Sequence, residues 1–164
     1  MKKLIIFLGL LLLTPTVSLA QSPSGHVLKG NEYKAKGDRL RAEGQYLLAL
    51  EQDPELAEAH ARLGEIYLDR KSVQKAIDRF EKALSLDYKD PVLFIRLAFA
   101  YRKHGDLDSA IRVYKAFIEN YPDIPEAHLG LSGLYDAKGM KTEAEAECAV
   151  YRKMRETTPS PPKR

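Results

Sequence analysis

Residues of one kind recur every 34 positions along this chain, and that period constrains the fold more than any local motif does. Tyr33, Tyr67, Tyr101 and Tyr135 form one series, and Ala42, Ala76, Ala110 and Ala144 form a second. Tyr46, Phe80, Tyr114 and Cys148 form a third, and His26, His60, Phe94 and His128 a fourth. A fifth, Lys29, Leu63, Leu97 and Leu131, departs only in its first member. The side-chain periods of a helix and a strand are about 3.6 and 2 residues, so neither element produces such spacing. It marks a supersecondary unit that buries its apolar face on the next copy of itself.

Inside each period the pattern is helical. Ala57, His60, Leu63, Gly64 and Tyr67 recur at three- and four-residue steps, as do Val73, Ala76, Ile77, Phe80, Ala83 and Leu84. Asp53-Pro54 and Asp90-Pro91 each place a capping side chain before a proline suited to a first helical turn, and Thr142 with Glu145 has capping-box spacing. Gly105 and Gly139 supply turns between paired helices. In the first unit either Gly37 or Gly44 could do so, and Gly37 keeps Ala42, Tyr46, Ala49 and Pro54 in phase. No run alternates as a strand should, so eight helices in four antiparallel pairs are expected.

The stretches "HARLGEIY" (60–67) with Ala76, Phe80 and Ala83, and "FIRLAFAY" (94–101) with Gly105, Ala110, Tyr114 and Pro122, carry a resemblance to the tetratricopeptide repeat (TPR) family. The departures are the lack of tryptophan, Ala98 and Ser132 in place of the glycine at 64, Tyr88 in place of a proline, and Lys29 in place of a leucine. The resemblance implies an all-α fold, a right-handed α-solenoid of about four TPR-like helix-turn-helix repeats following a cleaved signal peptide. The repeats would run 23–56, 57–90, 91–124 and 125–158, with a disordered tail at 159–164.

The leader comes from the first twenty residues. Lys2 and Lys3 precede an apolar run from Leu4 to Leu13 and the small-x-small stretch Ser18-Leu19-Ala20, a secretory signal pattern with cleavage expected after Ala20. The rival is an uncleaved anchor, but ten apolar residues rise about 15 Å against a bilayer core of roughly 30 Å. Export places the protein in a periplasm or outside the cell, with no stable membrane anchor. Loss of the two lysines lowers the net charge from +3 to +1. A near-neutral, mixed-sign chain lacks the basic stripe that phosphate contacts need, so nucleic acid is not an expected partner. With Cys148 as its single cysteine, the chain would be held by core packing alone.

The matching stretches "EAHARLGEIY" and "EAHLGLSGLY" could suggest a metal or acid–base site built from Glu58, His60, Glu126 and His128. Equivalent helices two units apart stand on the order of 20 Å from one another at 8–10 Å per packed helix. Ligands of one metal sit near 2 Å from it, so these histidines read as packing residues. There is no HExxH, glycine-rich phosphate loop or G-x-S-x-G elbow. Cys148 stands in a core slot, and His104 in a turn reads as solvated. The chain is therefore expected to be no enzyme and to need no cofactor or metal.

What remains is binding. The TPR resemblance assigns a concave surface to the outward positions of each first helix. Those include Asn31, Lys34, Arg62, Glu65, Leu68, Asp69, Val92, Ile95, Arg96, Phe99, Arg102, Lys103, Glu126, Leu129 and Asp136. Val92, Ile95 and Phe99 are apolar yet lie off the packing stripe, and Arg96, Arg102 and Lys103 flank them. Apolar anchors with an arginine rim are what a peptide- or helix-binding groove uses. A central helix buried on both sides would account for the same residues equally well. The groove assigned here comprises Arg62, Leu68, Val92, Ile95, Arg96, Phe99, Arg102, Lys103 and Leu129. The clamp by which some TPR proteins grip a C-terminal carboxylate is not expected, since only Asn31 and Arg96 fit it and Val27 and Val92 stand where it needs lysines. At the other end, Tyr151 and Met154 would be partly exposed for want of a cap. The expected function is that of an exported adaptor for a cell-envelope protein, in envelope, secretion or pilus assembly, or alternatively a self-associating module dimerising through that end.

Overall fold

The computed structural model describes residues 21–157; the leader and the 159–164 tail lie outside the described residues. It contains α1 (Pro23–Ala35), α2 (Arg39–Gln52), α3 (Ala57–Asp69), α4 (Val73–Ser85), α5 (Pro91–His104), α6 (Leu107–Asn120), α7 (Pro125–Ala137) and α8 (Lys141–Thr157), with no strand among the described residues. First helices begin at 23, 57, 91 and 125 and second helices at 39, 73, 107 and 141, so the period of 34 is a structural period. Each helix packs on the one before and the one after, and α3 also meets α5.

Short-range chemistry sets the helix ends. Ser22, Asp38, Asp90 and Asp106 accept hydrogen bonds from the backbone N–H groups of Gly25, Arg41, Val92 and Ser109 at 2.9–3.0 Å, satisfying donors that the first helical turn leaves open. Pro91 opens α5 as expected. Asp53-Pro54 does not open α3: Asp53 ends α2 and caps the Glu55 N–H, so Pro54 sits in the linker and α3 starts at Ala57. Thr142 lies one residue inside α8, whose early Ala144 N–H bonds to the Met140 carbonyl. The turn of the first unit falls at Gly37, and Gly44 lies within α2. Gly37, Gly105 and Gly139 adopt φ of 79°, 92° and 80°, and the equivalent residue of the second unit is Lys71 at φ 60°. A side chain is strained there, because the left-handed region brings Cβ against the following carbonyl.

The core runs along the array as four contiguous clusters. Its repeating element is an aromatic ring from a second helix laid on a bare spot of the first. Tyr46 lies on Gly30 and Phe80 on Gly64, both rings fully buried, and a Cβ on either glycine would run into the ring. In the third unit Ala98 fills that spot. Tyr114 lies instead against Gly130 of the next unit's α7. In the fourth unit Ser132 donates to the Ala144 carbonyl at 2.8 Å, and Cys148 supplies no ring.

The 34-residue series also explains its own exceptions. Leu63, Leu97 and Leu131 are buried between units, and Ile66, Ala100 and Leu134 beside them. Their counterparts on the outer side of α1 are the exposed Lys29 and Glu32. At the other end, Arg152 is exposed where Leu50, Leu84 and Ile118 are partly buried. At these positions both outer faces carry charge where the interior carries hydrocarbon.

Candidate functional site

The fourth series resolves into matched pairs across each helix hairpin. His26 Nδ1 meets Gln45 at 2.9 Å, His60 Nδ1 meets Arg79 at 3.2 Å, and His128 Nδ1 meets Glu147 at 2.7 Å, always the residue nineteen positions on. Where the slot holds Phe94 the partner is Val113, and Phe94 stacks on Phe117 with centroids 5.5 Å apart. The histidines thus fill structural slots, but as hydrogen-bonded residues rather than bare packing rings. His60 is the most buried; its Nε2–H donates to the Pro54 carbonyl at 2.9 Å and its Nδ1 accepts from Arg79. That tautomer is neutral, and burial, then the nearby Arg79 and Lys82 charges, push its pKa below the usual 6.5 against the carbonyl's opposing pull. No group of three or more His, Cys, Asp or Glu side chains among the described residues could hold a metal ion.

The face built by the first helices divides in two. On α1, α3 and α5, Glu65 is buried and takes ion pairs from Lys34, from Arg62 at 3.3 Å and from Arg96 at 3.2 Å. Arg62 also reaches Glu58 at 3.3 Å. Three elements are tied through one carboxylate. Arg62 and Arg96, assigned to the groove on sequence, are engaged here, and Leu68 packs against the buried Ala76–Phe80 cluster.

Between α5 and α7 the face opens into a cleft of about 370 Å³. Ile95, Phe99 and Arg102 form one wall, Leu129, Gly130 and Gly133 the other, with Tyr114 between. Four of the nine groove residues, Ile95, Phe99, Arg102 and Leu129, are brought together. The Arg102 guanidinium and the Lys103 ammonium stand 5.5 and 5.4 Å from the Phe99 ring centre, which places Lys103 on the same rim. Val92 is exposed one turn below and does not line the cleft. Phe99 is 38% exposed and Leu129 44%, so the reading of α5 as a helix buried on both sides does not hold for this flank.

Sequence reasoning missed Gly130, Gly133 and Tyr114. Their signal lay in the series: the positions equivalent to Gly133 hold Asn31, Glu65 and Phe99, so one side chain is missing where a cleft is found. A Cβ on Gly133 would meet nothing within 4 Å. Tyr114 is displaced into the cleft floor by Ala98.

A second open cleft of about 390 Å³ continues from Leu129 and Gly133 to Cys148 and Arg152 on α8. Cys148 is half-buried rather than buried. Tyr151 and Met154 are also half-buried, and His104 is exposed.

The family model for the tetratricopeptide repeat matches residues 27–91 and 95–161. The chain belongs to the tetratricopeptide repeat family. A solved structure of MamA superposes with a TM-score of 0.77 at 24% identity, covering 83% of this chain and 80% of that one. A structure of YrrB, described as a TPR protein with an unusual peptide-binding site, gives 0.73 at 24% identity over 82% and 69%. Pseudomonas aeruginosa pilF gives 0.71 at 17% identity over 82% and 61%. These likenesses establish the TPR α-solenoid fold. Among curated proteins, Superkiller complex protein 3 of Mus musculus is 36% identical over 100 residues, covering 57% of this chain and 6% of its own length. The Homo sapiens protein O-mannosyl-transferase TMTC1 is 31% identical over 93 residues, 54% of this chain and 10% of its own. This TPR chain therefore spans a small part of the curated relatives it matches.

Proposed function

We propose that this TPR protein is an exported scaffold that acts by binding rather than catalysis, holding a peptide or helix of a cell-envelope partner in the α5–α7 cleft. The observation that carries the reading is the pairing of Phe99 and Leu129, large apolar side chains left more than a third exposed, across a trough left open at Gly133. An exposed apolar trough with a charged rim is the anatomy of a recognition groove. The peptide-binding site for which the YrrB structure is named lends support, as does the N-terminal leader pattern for export. Association through Tyr151 and Met154 is the weaker reading, because Arg152 brings charge to that face.

The test fills the trough. Gly133→Leu adds a side chain into open space, so the fold is retained while the cleft is blocked. A partner that co-purifies with the wild type should be lost with Gly133→Leu and kept with Tyr151→Ser/Met154→Ser. Loss with the second variant and retention with the first would move the interface to α8.

A further inference from the structure

This inference rests on the cleft being the binding site and names the chemistry of its occupant. We propose that the occupant is an acidic peptide segment. It seats one large apolar side chain over Gly133, between Ile95, Phe99 and Leu129, and sets a carboxylate within about two residues of it on Arg102 and Lys103.

The apolar half follows from the missing side chain. Three units present a side chain at the position of Gly133, and the fourth presents none, so the trough has the form left by removing one. Its walls are hydrocarbon and aromatic, and Tyr114 closes the floor against Gly130. A large apolar side chain placed there would lie against Ile95, Phe99 and Leu129 and cover hydrocarbon that is otherwise exposed.

The acidic half follows from the charge balance. On the same face Lys34, Arg62 and Arg96 share Glu65, and on the outside Lys138 pairs with Asp108. Arg102 and Lys103 differ: among the described residues no carboxylate pairs with either, and both rest by the Phe99 ring. None of the residues lining the cleft is acidic. The mouth therefore carries two positive charges without compensation, over a surface of low polarity where an ion pair is strengthened. Beyond Gly133 the adjoining cleft holds Asp136 and Glu145 against Lys141 and Arg152, which balance. The preference for anions is thus local to the Phe99 rim and fixes the acid next to the anchor.

The test is selection from a random twelve-residue peptide library, displayed on phage, against the full-length chain. The result expected is enrichment of Asp or Glu within two residues of Phe, Leu, Ile or Met. A synthetic peptide from that pool should bind Arg102→Glu/Lys103→Glu at least tenfold more weakly, and that variant should itself select Lys and Arg beside the anchor. Far-UV circular dichroism confirms that each variant keeps its helices. Neutral or basic peptides that bind the wild type but not Gly133→Leu would overturn the acidic assignment and leave the cleft standing. Peptides that bind Gly133→Leu as well as the wild type, or no enrichment at all, would overturn both. A phosphopeptide that outcompetes its Asp counterpart by tenfold would replace the carboxylate as the recognised group.

Discussion

The same substitution, glycine to alanine, should have opposite effects on two first helices of this array. Gly64 and Gly133 are both interior to helices, α3 and α7, and in an open helix alanine is favoured over glycine by about 1 kcal/mol. At Gly133 the new methyl group meets nothing within 4 Å, so that gain should appear almost whole. At Gly64 it would overlap the ring of Phe80, which is fully buried and held by Ala76, Ala83 and Leu97. Forcing a ring aside in a packed core costs typically 1–3 kcal/mol, enough to reverse the propensity gain. We expect Gly133→Ala to stabilise by about 1 kcal/mol and Gly64→Ala to destabilise by about 1 kcal/mol, a spread of roughly 6 °C in Tm for a chain of this size. Urea and thermal unfolding followed by far-UV circular dichroism would read both. Repeat arrays can unfold by parts, so the urea slope should be checked for constancy across variants. A stabilised Gly64→Ala would refute the ring-on-glycine account of the core, and a destabilised Gly133→Ala would refute the open trough.

Three further outcomes follow from single sites. Lys71→Gly should stabilise by about 0.5–1 kcal/mol, since the strain of a left-handed lysine outweighs the added freedom of glycine in the unfolded chain; a loss of stability in urea unfolding would contradict the turn assignment. Glu65→Gln should cost about 2 kcal/mol by leaving Lys34, Arg62 and Arg96 gathered without a counter-charge, less than for a fully buried pair because these cations are 26–40% exposed; a neutral result would remove Glu65 as the tie between units. His60 is kept neutral in the fold while the unfolded chain titrates near 6.5, so below that pH the unfolded state binds the extra proton. The stability owed to neutral His60 is complete above pH 6.5 and is lost as pH falls from there toward the lowered folded pKa. The urea midpoint of His60→Phe should therefore fall less than that of the wild type between pH 7.5 and 5.5, and an equal fall would show that the burial of His60 does not govern the response.

Much of this fold could be read directly, because its determinants are periodic. Tyr33, Tyr67, Tyr101 and Tyr135 announce the unit length, and Gly37, Gly105 and Gly139 mark the turns where only a left-handed residue closes the hairpin. Local cap signals were less reliable. Asp53-Pro54 has the chemistry of a helix start but serves a linker, since the period puts α3 three residues later. The cleft was half legible. Ile95, Phe99, Arg102 and Leu129 stand off the packing stripe and could be named, whereas Arg62 and Arg96 look identical in sequence and are drawn to Glu65, Arg62 from three residues away on the same helix and Arg96 across units. The opening at Gly133 was invisible to motif reasoning because a site made by absent atoms leaves only a gap in a series. The displacement of Tyr114 needed one further step, that Ala98 occupies the spot where its ring would otherwise lie.

The central claim is that the α5–α7 cleft holds the partner, and photo-crosslinking within the cell tests it most directly. A photo-reactive residue would be placed singly at position 99 in the cleft, 151 on α8 and 40 on α2. The account predicts a defined adduct with another protein from position 99, absent when Gly133→Leu is added, and none of matching yield from 151 or 40. An adduct from position 99 that persists in Gly133→Leu, or adducts arising only from 151 and only with a second copy of this chain, would contradict it.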